Sequence, residues 1–138
     1  ADPSQYNRDA HCVNNLYTWT DLGDGDDTNP DGTAFTDFLS ELNQAATDDG
    51  NSTCFANHCD WRIPRLTELR SIVNEEYPCS TNPCVDSSFG ATATCLTFSS
   101  TSGAAAPSAV WAVALSNGVV TGAYKDTLRC ARAVRDTQ

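Results

Sequence analysis

Two stretches of the chain repeat their apolar residues at helical spacing. Over 33–46, Phe35, Phe38, Leu39 and Leu42 fall at i, i+3, i+4 and i+7, which puts them on one helical face. Over 66–73, Leu66, Leu69, Ile72 and Val73 make a second such face. Pro64 stands just before that helix, where its fixed φ is tolerated. Glu68 lies in the first turn, where a carboxylate complements the macrodipole. Elsewhere the pattern is that of strands. Val13, Leu16, Tyr17 and Trp19 start one within 6–20, and Val110, Trp111, Val113 and Leu115 mark another. Asn117-Gly118 is a hairpin-turn signal, with Val119-Val120 opening the returning strand. A last strand is expected over 128–134, so the C-terminal third reads as a small antiparallel meander. Two helices followed by strands, with one strand at the N-terminus, predict an α+β domain. No repeat, linker or second domain interrupts it, so one domain is expected over 1–138.

Composition adds limits. A chain of 138 residues is one ordinary domain, and its 40% hydrophobic content is a globular value. The 18 acidic against 8 basic side chains give a net charge of −10. A surface that acidic repels nucleic acid and anionic lipid, so neither is an expected partner. No apolar run approaches the roughly 20 residues needed to cross a bilayer, so no membrane insertion is expected. The opening Ala1-Asp2-Pro3, in a chain with no Met, reads as a processed N-terminus.

Seven cysteines are many for a cytosolic chain of this length. An extracellular, cell-surface or periplasmic setting is expected, with three disulfides and one leftover thiol. Cys54 with Cys59, and Cys79 with Cys84, would each close a small polar loop. Of Cys12, Cys95 and Cys130 only two can pair with each other. A four-thiolate zinc site is the rival reading of the two local pairs, but nothing else in the chain argues for the compartment where such sites are most needed. His11 and His58 sit in loops beside cysteines and read as solvated.

No catalytic set is present. The chain has no Gly-x-Ser-x-Gly elbow, His-Glu-x-x-His, phosphate loop or dinucleotide fingerprint, so a non-catalytic role is expected. The one sharp ligand motif is 27–32, where Asp27, Asn29 and Asp31 precede Gly32 as in the first half of an EF-hand loop. The second half departs from it, because the twelfth position is Phe38 and Asp37 falls one residue early. Calcium is thus the single cofactor the sequence leaves open, against a solvated acidic turn that caps the following helix. Asn51-Ser52-Thr53 is a glycosylation sequon.

Five segments then occur in a telling order. Asp60-Trp61-Arg62-Ile63-Pro64 with Glu68-Leu69 resembles the "DWRLP…EL" signature of the Lcl C-terminal domains, also called DUF1566 domains. Phe98-Ser99-Ser100-Thr101-Ser102 resembles their "YWSSTS" segment, and Val110-Trp111-Ala112-Val113 with Asn117-Gly118 their "AWxVxF…NG". Lys125 resembles the lysine that follows, and Arg132-Ala133-Val134-Arg135 the terminal "RAVR". The ordered match runs from about Asn29 to Arg135. There are departures. The family has Thr where Arg65 stands, and that Thr with Glu68 would make a T-x-x-E capping box. Arg65 cannot accept a backbone hydrogen bond, so the cap here must be made differently. Cys95 and Cys130 sit where other members carry other residues, and a cross-strand bridge between them is the expected explanation. Cys12 would then be free or bridged to another chain.

The resemblance implies a C-type-lectin-like fold: two helices on a small antiparallel sheet, long loops, and a disulfide-stapled base. It implies a secreted or surface bacterial protein used as a binding or adhesion module, with a protein or a glycan as ligand. The alternative is a structural subunit of a larger assembly or homo-oligomer. The expected ligand surface is 99–108 with 121–127, including Ser102, Pro107, Lys125 and Arg129. Trp61, Arg62, Pro64, Glu68 and Trp111 are expected to be structural, with Trp61 and Trp111 filling the core.

Overall fold

A computed structural model describes residues 15–21, 28–43, 54–73, 84–86, 89 and 95–136. The first helix, α1, opens as a wide π-type segment, Ala34–Leu39, and continues as an α-helical turn, Ser40–Asn43. Its start is held from outside. Thr18 N–H donates to Thr33 Oγ1 (2.9 Å), Thr33 N–H to Thr18 Oγ1 (3.2 Å) and Ala34 N–H to Thr18 O (2.9 Å). These bonds satisfy amides that a helix start leaves open. The approach is so close that a Cβ on Gly32 would stand 2.5 Å from Thr18 O, so only glycine fits there.

A disulfide loop follows, with a short 3₁₀ turn at Phe55–Asn57, and then helix α2, Leu66–Ser71. The sheet has three antiparallel strands in the order β1-β2-β3: β1 Leu96–Gly103, β2 Ala106–Ala114 and β3 Val120–Tyr124. The β2–β3 turn is the expected one at Asn117-Gly118. Gly118 takes φ +79°, and its N–H donates to Ala114 O at 2.7 Å. The architecture is thus α+β.

Both faces of the sheet are used. Phe98, Val110, Ala112 and Ala123 face Trp19 and Phe35, and behind them Tyr17, Ala34, Phe38, Leu42 and Ile63 form an adjoining cluster. On the other face Val113 and Leu115 pack against Leu69 of α2, Val85 and the half-buried Leu66, Ile72 and Val73. This is the apolar stripe predicted for α2. The stripe predicted for α1 is also used: Phe38 and Leu42 are buried, with Phe35 and Leu39 packed at the margin.

Several expectations are corrected. The segment 128–134 is not a regular strand. It crosses the molecule as single bridges: Tyr17 with Arg129, Thr97 with Cys130 and Arg62 with Val134. Of the N-terminal strand, the described residues show only that first bridge. The polar segment after Phe98 is part of β1, distorted where the register shifts between Phe98 and Ser102. Trp111 does not fill the core and is 41% exposed. Its position in β2 turns it to the same sheet face as Val113, and α2 covers that face only at the Val113 end.

Candidate functional site

The signature polar residues meet at one junction. Arg62 donates to both Glu68 oxygens, each at 2.7 Å, and to Asp136 Oδ1 at 2.6 Å. Glu68 Oε1 also accepts from Arg65 N–H at 2.9 Å. The Arg62 guanidinium, and then the Arg65 amide, pull the Glu68 carboxyl down to about 2, and the same pairing raises Arg62 above its ordinary value. The backbone of Arg62 exchanges two hydrogen bonds with Val134, both 2.8 Å, and Arg135 Nε lies 3.3 Å from Asp60 Oδ1. The DWR and AVR segments are therefore joined at two points, the Arg62–Val134 bridge and the Asp60–Arg135 ion pair.

The 99–101 distortion of β1 closes the junction from the sheet side. The Ser99 hydroxyl donates to Trp111 O, taking a position that the shifted ladder leaves empty. Thr101 N–H returns to Ser99 Oγ at 3.2 Å. Ser100 N–H is thereby turned outward to Pro64 O (2.8 Å), and Thr101 Oγ1 accepts from Leu66 N–H at the start of α2 (3.0 Å). The cap that Arg65 cannot supply comes from two places: Glu68, reaching back to Arg65 N–H, and Thr101 on the sheet. Sequence reasoning missed Asn43, whose side-chain amide pairs with Trp61 N and O, each at 2.8 Å, like a strand neighbour. It also missed Asp136. No local motif announces either residue, since both partners are distant in sequence.

Trp61 is half-buried at the edge of the first core cluster, with its indole N–H on Phe55 O at 3.0 Å. The disulfides Cys54–Cys59 and Cys95–Cys130 are formed, with Cα separations of 5.2 and 6.1 Å. Cys84 is disulfide-bonded, while Cys12, Cys79 and the Asn51 sequon lie outside the described residues.

The expected ligand residues do not form one surface. Ser102 and Pro107 are exposed beside the β1–β2 hairpin. Lys125 is only 2% exposed. Its ammonium lies 4.1 Å from the Trp19 ring centroid and donates to Thr28 O at 3.0 Å, so it is an internal cation rather than a ligand contact. Arg129 is half-buried, with its backbone paired to Tyr17. Of the calcium residues, Asp27 lies outside the described residues. Asp31 Oδ1 accepts from Asp21 N–H (2.7 Å) and Thr20 Oγ1 (3.3 Å), which clasps the acidic turn onto 20–21. Among the described residues no group of three or more His, Cys, Asp or Glu is placed to hold a metal.

Residues 7–135 match the Lcl C-terminal domain. The chain belongs to the Lcl C-terminal domain family. No curated protein and no solved structure matches it. The family is named for the C-terminal domain of a larger protein, which suggests an accessory domain. In this Lcl C-terminal domain the DWRIP, FSSTS and AVR segments are thus joined by their own hydrogen bonds. The large apolar side chains left outward include Trp111 (41% exposed), Tyr124 (69%) and Leu128 (54%). Among the described residues no helix is long and apolar enough to cross a membrane.

Proposed function

We propose that this domain is a non-catalytic binding module on a C-type-lectin-like scaffold, acting outside the cytoplasm as one domain over 1–138. The observation that carries this reading is the use of the signature side chains. Arg62, Glu68, Ser99 and Thr101 are spent on one another and on backbone groups, so they are not available as an acid, a base or a nucleophile. What they hold rigid is a disulfide-stapled frame from which exposed strands and hairpins project, and rigid frames with exposed loops are suited to recognition. The disulfides agree with an oxidising compartment.

The alternative is a permanent subunit of an extracellular or periplasmic assembly. Exposed Ala104, Ala105, Ala106 and Pro107 at the hairpin favour it, as an apolar tip that a protein neighbour could cover. Native mass spectrometry of the mature protein, gently purified from its source, separates the two. A single species free of other chains is expected. Stoichiometric co-migration with other polypeptides would sink the binding-module reading as the primary one.

A further inference from the structure

The geometry points to the open half of the outer sheet face, built on Trp111, Gly122 and Tyr124, as a stacking site for a neutral saccharide. This deepens the binding-module reading and rests on it. The register pairs Trp111 with Gly122 and Ala109 with Tyr124. Directly opposed residues share a sheet face, and so do residues two apart, so all four stand on one side. Helix α2 covers this side around Val113 and leaves the rest open. Trp111 is 41% and Tyr124 69% exposed. Gly122 leaves open space beside them: a Cβ there would meet nothing within 4 Å.

The polar groups a sugar needs are at the border. Ala114 N–H donates to Val119 O and Lys125 N–H to Ser108 O, which fixes the parity of the β2–β3 ladder. Val119, Thr121, Ala123 and Lys125 therefore face β2, while the N–H and C=O of Gly122 point to the other edge of β3, which no strand among the described residues pairs. A pyranose has an apolar C–H face and a rim of hydroxyls. It can lie on the two rings and hydrogen-bond to that edge, to the phenol and to the indole N–H.

Size and charge select this occupant. Two aromatic side chains offer on the order of 200 Å² each when fully covered, well short of the roughly 800 Å² per partner of a stable protein interface. Neither β2 nor β3 carries a charged side chain, and the chain's net charge is −10, which disfavours anionic glycans. Two rings on an open face do not enclose a quaternary cation as an aromatic cage does.

The test is a glycan array of neutral and sulfated saccharides, followed by tryptophan-fluorescence titration with the best neutral oligosaccharide. Heparin and tetramethylammonium serve as controls. Saturable binding of a neutral oligosaccharide is expected, weakened at least about tenfold in both Trp111→Ala and Tyr124→Ala. It should be unchanged in Leu128→Ser, an exposed apolar position outside the platform, with unaltered thermal melts in all three. Absence of neutral binding, or neutral binding indifferent to Trp111→Ala, would overturn the site. Binding of heparin or of the ammonium alone would also overturn it but leave a binding module. A dimer in light scattering that Trp111→Ala dissolves would assign the face to a second copy instead.

Discussion

Lys125 shows how far a single residue can mislead when read without its surroundings. A lysine in a predicted surface stretch invites a ligand role, yet its ammonium is inside, on the Trp19 ring and the Thr28 carbonyl. Nothing within a few residues of Lys125 could have revealed this, because Trp19 and Thr28 come from the N-terminal part of the chain. Lys125→Met should destabilise the fold by about 1–2 kcal/mol, by losing the cation–π contact and the hydrogen bond to Thr28 O. A urea denaturation series checks the value. Trp111 was misplaced for a related reason. Apolar character predicts burial, but parity along β2 decides the face. The Asn117-Gly118 turn sets that parity, so the pairing of Trp111 with Gly122 and the nearness of Tyr124 were in principle legible.

At the scale of elements, the two helical stripes and the hairpin were readable because each is a local periodicity. The capping of α2 was readable only in part. Arg65 announces that the family's reciprocal box is incomplete, and Glu68 supplies the half that remains. The replacement, Thr101, is on a strand 35 residues later in sequence. Two substitutions should move stability in opposite directions. Thr101→Val removes the acceptor for Leu66 N–H with little change of shape and should cost about 1 kcal/mol. Arg65→Thr restores a side-chain acceptor at the N-cap and should add about 0.5–1 kcal/mol. Thermal melts of the pair, read against the wild type, give both signs in one experiment.

For the whole molecule, the C-terminal segment is the tie. It bridges to Tyr17, to β1 and to Arg62 in turn, and Cys95–Cys130 fastens it to the start of β1 across 35 residues of sequence. Replacing both cysteines with serine should cost about 2–4 kcal/mol. Replacing Cys54 and Cys59 should cost less, because the loop they close spans only 5 residues of sequence. Calorimetry of the two double variants orders them. The crossing of 128–134 over the fold was not legible, since a chain that pairs one residue at a time leaves no strand-length alternation to read.

Whether the signature's polar residues serve the scaffold is decided most directly at Glu68. Its carboxyl is held down to about 2 in the fold, so the stabilisation it gives is present above the ordinary carboxylate pKa of ~4.3 and is lost as pH falls towards 2. The pair is about one-third exposed (30% for Arg62 and 34% for Glu68), so solvent screening reduces its worth to roughly 1 kcal/mol. The measurement is the unfolding free energy in urea of wild type and Glu68→Gln, at pH 7 and at pH 2.5. At pH 7 the variant should be about 1 kcal/mol less stable, and by pH 2.5 most of that gap should have closed. An unchanged stability at pH 7, with a gap that does not depend on pH, would contradict the scaffold role and return Arg62 and Glu68 to candidacy for ligand contact or chemistry.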